Sequence, residues 1–372
     1  MTLLDESEHL HARVRAFARG AGSEAEFDEL ALNIAEFQRR HSPGFARLVE
    51  SRKRPLDSVD AIPAVPTDAF RLTRVAVHDA AQDRVQFVTS GTTSSERGVH
   101  ALRTTETYAE LALAFGRRAL LSADEPHTAV ALAPPLDRPP SSSLGFMMEL
   151  FMREFDGREL DGGPFVSDSR ERWLLRAEGV DRVALGKAIL VARKRAERLL
   201  LLTTSFALVA LLDALGGARL PLPDGSVVMQ TGGYKGRVRS IPPAELRREA
   251  ARVFEIPEAA IVSEYGMTEL SSQLYEGTLP GGSLSAPANL YLEPPWLRVV
   301  PVDPVSLEPV AAGKTGLARF VDLANVDSAI AIVTRDLVRR TGPGIELLGR
   351  EPGAPPRGCS LAIEALLAGE TS

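Results

Sequence analysis

Phe87-Val88-Thr89-Ser90-Gly91-Thr92-Thr93-Ser94-Ser95-Glu96-Arg97-Gly98 and Ser263-Glu264-Tyr265-Gly266-Met267-Thr268-Glu269 are the two stretches on which the fold turns. In the first, a short apolar run ends at a glycine followed by a crowd of hydroxyls, and helix-like sequence resumes soon after. Hydroxyls and free backbone N–H groups in such a loop can surround phosphate oxygens, and Arg97 can add a charge-assisted contact. It is not a Walker A loop, because no Gly-Lys-Ser/Thr follows. Alone, it reads equally as a solvated Ser/Thr turn. The second stretch ends an apolar run and sets a ring, a hydroxyl and a carboxylate side by side, where open α/β sheets bind ligands at strand carboxyl ends. A base can stack on Tyr265, Thr268 can donate to a phosphate, and Glu269 can hold Mg²⁺, which takes one or two carboxylates together with phosphate oxygens. Alone, this run is also consistent with a plain strand end and a helix cap.

Around these stretches, residues 85–90, 128–132, 226–231 and 260–265 read as buried strands, and 104–121, 143–155, 205–215 and 243–254 as helices. Strand and helix alternate as in a mainly parallel sheet, so the fold class is α/β. Residues 5–53 carry apolar residues at helical spacing, broken by Ser42-Pro43-Gly44, which predicts two or three helices; Thr67-Asp68 is a plausible cap for a further one. After Pro287 the runs 297–302, 317–323, 329–338 and 345–348 predict a small β-rich subdomain. The expected division is a helical segment packed on the main domain over 1–80, an α/β core over 81–290, the β-rich subdomain over 291–350 and a short tail over 351–372.

The 372 residues, 44% hydrophobic and 25% charged, suit a protein with a sizeable core and exclude a disordered or collagenous chain. With 43 basic against 49 acidic residues the net charge is −6, which disfavours nucleic acid as a partner. One cysteine, Cys359, excludes an intrachain disulfide and a cysteine-built zinc site. The N-terminus lacks signal-peptide character, and the apolar stretches 199–202 and 206–212 are too short to span a membrane, so a cytoplasmic location is expected. The six histidines show no metal spacing, and none is given a role.

Together the two stretches resemble the phosphate-loop and Tyr-Gly-x-Thr-Glu motifs of the adenylate-forming superfamily of acyl and aryl ligases, in the same order and at similar spacing. The resemblance implies the large N-terminal domain of that superfamily, with ATP and Mg²⁺ as cofactors and a carboxylic acid, fatty or aromatic, as substrate. Thr89, Ser90, Gly91, Thr92, Thr93 and Ser94 then take the phosphates with Thr268, Tyr265 and Gly266 meet the nucleoside, and Glu269 holds the metal. Thr334-Arg335-Asp336 resembles a later motif whose Asp binds the ribose hydroxyls, which gives that role to Asp336. Leu348-Gly349-Arg350 resembles the Gly-Arg hinge that closes the domain, and Arg350 joins the nucleotide set.

Within the superfamily, Thr231-Gly232-Gly233-Tyr234-Lys235-Gly236, Tyr265-Gly266-Met267-Thr268-Glu269-Leu270-Ser271-Ser272-Gln273 and Arg357-Gly358-Cys359-Ser360-Leu361 are most similar to the acyl-protein synthetases, the luciferin-component ligases of bacterial luminescence. That likeness implies transfer of the acyl group from an acyl-AMP to a cysteine near the C-terminus, the position Cys359 matches, and delivery to an acceptor protein such as a reductase or carrier. Gly232 and Gly233 fall in a segment where related enzymes contact the adenine.

The chain departs from the pattern twice. Ser95-Glu96-Arg97-Gly98 stands where the superfamily loop carries a lysine after a proline, and too few residues follow Arg350 for the usual lysine-bearing domain, so that domain is expected to be missing or reduced to a tail. Lys235 is the substitute at hand, stabilising charge during adenylation; its other reading is a surface lysine in a Gly-rich turn. Cys359 likewise reads as a nucleophile or as a small buried residue. Residues 141–152, rich in methionine and phenylalanine, can line an acyl cavity, although such a stripe is more often core. Two other functions remain open on the sequence: direct transfer to coenzyme A or another external acceptor, and ligand binding without turnover.

Overall fold

The computed structural model describes residues 2–20, 22–89, 97–122, 126–167, 169–232 and 241–352. Three helices come first: α1 (Leu3–Arg19), α2 (Glu24–His41) and α3 (Pro43–Ser51). Capping boxes start the first two, Thr2 with Asp5 and Ser23 with Glu26, and satisfy N–H groups the first turn leaves orphaned. Ser42 ends α2 and caps α3 through the Phe45 N–H, with Pro43 at the position where its missing N–H costs nothing. Strand β1 (Val65–Pro66) and the single-turn α4 (Ala69–Leu72) follow; α4 begins at Thr67-Asp68, but Asp68 makes no side-chain cap bond. A hairpin, β2 (Val85–Val88) and β3 (Val99–Leu102), flanks the Ser/Thr-rich loop.

Next come α5 (Glu106–Leu120), β4 (His127–Leu132), α6 (Ser143–Phe155), the two-residue strands β5 (Leu175–Arg176) and β6 (Gly179–Val180), α7 (Arg182–Lys194), β7 (Arg198–Thr204), α8 (Ser205–Leu215), β8 (Val227–Thr231), α9 (Pro243–Phe254) and β9 (Ile261–Tyr265). The chain then runs through β10 (Leu274–Glu276), β11 (Leu290–Leu292), β12 (Leu297–Val302), β13 (Thr315–Asp322), β14 (Ala331–Thr341) and β15 (Gly344–Arg350) without another long helix.

Hydrogen bonds join eleven strands into one sheet in the order β12-β13-β14-β15-β11-β10-β9-β8-β7-β4, with β1 attached to β14. β4, β7, β8 and β9 pair in parallel, and from β10 to β15 the neighbours are antiparallel. Every residue of β4 and β8 is buried, as expected of parallel strands covered on both faces. The changeover from parallel to antiparallel lies between β9 and β10, at the turn that carries Tyr265 to Glu269.

The α/β class and the strand-rich end match the sequence reading, with three differences of detail. Residues 85–88 form a strand outside the main sheet, because Gln86 points out while Val85 and Phe87 point in, and the run pairs with β3 instead. The helix α7 and strand β7 escaped the sequence reading: Thr204 ends β7 and its hydroxyl caps α8, so no turn residue separates strand from helix. The methionines of α6 are core: Met147, Met148 and Met152 are buried, while Phe146 of the same stripe is half-buried.

Candidate functional site

Tyr265 is the last residue of β9, and the chain turns at once over the buried Glu264. Only glycine fits next: a Cβ on Gly266 would lie 2.6 Å from Glu264 Oε1. The following turn is held at several of its backbone groups. Leu270 N–H donates to the Met267 carbonyl at 3.1 Å. The Thr268 carbonyl accepts from His100 Nδ1 at 2.8 Å, and the Glu269 carbonyl accepts from Asn325 Nδ2 at 3.0 Å. Ser271 N–H and Ser272 Oγ donate to Asp322 at 3.0 and 2.7 Å, and Ser271 Oγ donates to Asn325 Oδ1 at 2.7 Å. Thr268 and Glu269 are buried, at 6% and 2% exposure. Peptide planes fixed by side chains of distant strands leave little freedom for the Thr268 hydroxyl or the Glu269 carboxylate.

Tyr265 reaches the other side of the site. Its ring stacks on Phe320 at 5.8 Å and 11°. Its hydroxyl donates to Asp336 Oδ2 at 2.8 Å, and Arg350 Nε stands 3.1 Å from Asp336 Oδ1. Asp336 and Arg350 face each other across β14 and β15, so three residues named from separate motifs meet at one point.

The Ser/Thr-rich loop has a closed neck. Thr89 N–H donates to the Gly98 carbonyl at 2.8 Å, and Gly98 N–H donates to Thr89 Oγ1 at 2.7 Å. Gly232, just past β8, sits in the left-handed region with φ +85°, and its carbonyl accepts from Ser205 Oγ at 2.9 Å. Thr231 beside it donates to Glu264, linking the ends of β8 and β9. Ser90, Gly91, Thr92, Thr93, Ser94, Gly233, Lys235 and Cys359 lie outside the described residues.

Burial pushes the Glu264 carboxyl up to about 7, against the opposing pull of the Thr231 hydrogen bond. Asp322 rises to about 6 for the same reason, although it accepts several hydrogen bonds. His100 is driven down to about 4 by burial, partly offset by its bond to the Thr268 carbonyl. Sequence reasoning missed His100, Glu264, Asp322 and Asn325. The last two left a trace, as polar residues interrupting the apolar run that continues from β13 into β14.

Among the described residues no three of His, Cys, Asp and Glu converge as a metal cage. Glu269 is a buried carboxylate next in sequence to Thr268, and the other buried carboxyls of the site, Glu264 and Asp322, accept hydrogen bonds from Thr231 and from Ser271 and Ser272. One carboxylate completed by phosphate oxygens is a usual protein share of a Mg²⁺ site.

No family model and no curated protein matches the chain. Solved structures do. An open conformation of 2-hydroxyisobutyryl-CoA ligase in complex with 2-HIB-AMP and CoA superimposes with a TM-score of 0.59 at 11% identity, covering 90% of this chain and 77% of that one. The same ligase in the postadenylation state with R3-HIB-AMP gives 0.60 at 12% identity, over 88% and 68%. ATP-bound MatB from Rhodopseudomonas palustris gives 0.47 at 15% identity, over 73% of this chain and 49% of its own, so the chain spans about half of that relative. At these identities the likeness is one of fold: over the matched residues the architecture is that of 2-hydroxyisobutyryl-CoA ligase. No helix among the described residues is long and apolar enough to cross a membrane.

Proposed function

We propose that the chain activates a carboxylic acid as an acyl-adenylate, R-COO⁻ + ATP → R-CO-AMP + PPi. The observation that carries this reading is the junction of Tyr265, Asp336 and Arg350 beside the pinned Thr268–Glu269 turn, at the carboxyl end of β9 in a fold of this kind. Asp336 accepts a hydrogen bond from Tyr265 on Oδ2 and is ion-paired with Arg350 through Oδ1, and its oxygens keep acceptor positions for a ribose hydroxyl. The ring of Tyr265, with Gly266, Gly232 and Gly233, borders the nucleoside. Thr89, Ser90, Gly91, Thr92, Thr93, Ser94 and Thr268 donate to the phosphates, and Lys235 stabilises negative charge as the acid oxygen bonds to the α-phosphorus. The bond from that phosphorus to the β-phosphate oxygen breaks, and its electron pair leaves with pyrophosphate. Glu269 would hold a magnesium ion, which would supply positive charge to the departing phosphates.

The finer reading is that of an acyl-protein synthetase of the luciferin-component type. The Cys359 thiolate attacks the acyl carbonyl, a C–S bond forms, the C–O bond to AMP breaks, and the thioester is passed to a reductase or carrier. A second reading, direct transfer to coenzyme A, is favoured by the ligase of like fold that was captured with both an acyl-AMP and CoA.

ATP–pyrophosphate exchange with a panel of fatty and aromatic acids tests the first step. Exchange with none of them sinks the proposal. A hydroxylamine-sensitive acyl label that disappears in Cys359→Ser while exchange persists supports the acyl-protein route. Absence of that label in wild type, with CoA thioester formed instead, favours the other.

A further inference from the structure

We propose that His100 is a positioning residue for adenylation: by donating from Nδ1 to the Thr268 carbonyl it sets the Thr268–Glu269 peptide plane, and so aims the Thr268 hydroxyl and Glu269 carboxylate at the triphosphate. The inference rests on the adenylating reading of the site. His100 is on β3, two residues past Gly98, where the chain leaves the neck of the Ser/Thr-rich loop. Its ring is 1% exposed and spans three segments far apart in sequence. Nδ1 lies 2.8 Å from the Thr268 carbonyl, Nε2 lies 2.9 Å from Ser328 Oγ, and the edge of Phe70 packs on the ring at 5.5 Å.

A carbonyl only accepts, so Nδ1 carries the hydrogen, and Nε2 accepts from the Ser328 hydroxyl. One tautomer is thereby selected at both ends. Burial lowers the His100 pKa to about 4, in keeping with a ring that stays neutral and can accept from Ser328 near pH 7. The turn's own backbone bond joins residues 270 and 267, so orientation of the 268 and 269 carbonyls falls to His100 and Asn325. Through His100 the strand leaving the phosphate loop and the Thr-Glu pair move as one body, which is what fixed donors for a developing charge require.

A buried histidine can also be simple filling, and the test separates the two. In the full chain, His100→Phe keeps the ring volume without the bonds, and His100→Asn returns an amide donor near the Nδ1 position. Amide hydrogen exchange across 266–272 without ligand and ATP–pyrophosphate exchange with the most active acid are both followed. His100→Phe should raise deuterium uptake in 266–272 and lower the turnover of exchange by about 10- to 100-fold, the scale expected of a misplacement near 1 Å. KM for the acid should stay within about twofold, since binding outside the transition state is untouched. His100→Asn should recover most of the turnover. A folded His100→Phe protein with wild-type uptake and turnover overturns the proposal. Should that variant not fold, His100→Gln, whose amide reaches the Nε2 position and leaves the Thr268 carbonyl without its donor, carries the same comparison, and wild-type values in it are equally fatal. If wild type exchanges with no acid, the adenylating reading is what has failed, and the uptake arm alone then decides whether His100 holds the turn.

Discussion

A carboxyl sealed between two strand ends either ionises without water or keeps its proton, and burial tips Glu264 toward keeping it up to about pH 7. The unfolded chain releases that proton near 4.5, so the folded state binds more protons between these values, and stability falls as pH rises from about 4.5 to about 7. Glu264→Gln removes the proton and keeps the shape. Relative to wild type it should therefore gain stability from pH 5 to pH 8, by on the order of 2–3 kcal/mol at most. Urea midpoints at the two pH values check this, and a difference that stays constant would mean that Glu264 ionises freely. In the proposed reading Tyr265 acts on nucleotide binding instead. Tyr265→Phe keeps the stack on Phe320 but drops the hydroxyl from Asp336, a hydrogen bond to a charged group. Apparent ATP binding should weaken about tenfold with little change in melting temperature, as nucleotide titration would show. Glu269→Gln should lower ATP–pyrophosphate exchange by about 100-fold and raise the Mg²⁺ requirement, because an amide is a poorer ligand for a hard cation. Unchanged metal dependence would reduce Glu269 to a structural carboxylate.

At the scale of elements, two helix glycines answer the same substitution with opposite signs. Gly116 of α5 lies against α6, and a Cβ there would come within 2.5 Å of the Phe151 ring, itself buried and stacked on Phe155 at 4.8 Å. Phe151 has nowhere to swing, so Gly116→Ala should destabilise by about 1–2 kcal/mol even after the helix-propensity gain of roughly 1 kcal/mol. Gly186 sits in α7 with nothing near its Cβ position, and Gly186→Ala should stabilise by about 0.5–1 kcal/mol. Urea midpoints that shifted the same way in both would contradict the packing of α5 on α6. The legible elements were those whose ends are written locally. The helix over 143–155 has the Ser142 cap, and that over 205–215 has the Thr204 cap and a left-handed Gly216 after it. Between Val180 and Thr204 the local signal is mixed: Asp181 caps α7 through the Ala184 N–H, but Gly186 lies within the helix, and β7 runs into α8 at Thr204 with no turn residue between. The site divided on the same line. Tyr265, Thr268, Glu269 and Asp336 announced themselves as motifs, whereas His100 holds Thr268 across 168 residues and Asn325 holds Glu269 across 56. A contact of that reach leaves no local pattern, and a lone histidine in an apolar strand looks like any other buried residue.

Across the whole molecule, the segment 322–330 ties the N-terminal helices to the candidate site. From α2, Gln38 donates to the carbonyls of Asn325 and Val326 and accepts from Ile330 N–H. From α1, Ser7 and His11 bond Asp327, which also pairs with Arg103 at 3.2 Å. Asp322, Asn325 and Ser328 of the same segment reach the Thr268–Ser272 turn, Ser328 by way of His100. Asp327 is thus the point where the helices are bolted down. Burial alone would raise its pKa, but the hydrogen bond and field of His11, with Ser7 and Arg103, outweigh it and hold the carboxyl at about 2. The unfolded value is 3.8, so the folded state binds fewer protons between the two; the stabilisation is present above about pH 4 and is lost as pH falls from about 4 to about 2. Asp327→Asn removes the charge while an amide can still meet Ser7, which should cost about 3 kcal/mol near pH 6, the lower end for breaking a buried pair. The gap to wild type should narrow by pH 3, since wild type is then losing the same interaction. Urea midpoints at pH 6 and pH 3 measure it, with uptake in 266–272 as a second readout that should rise only if the segment transmits the loss. A gap below about 1 kcal/mol at pH 6, or one as wide at pH 3 as at pH 6, would show that the helices are held by their apolar faces alone.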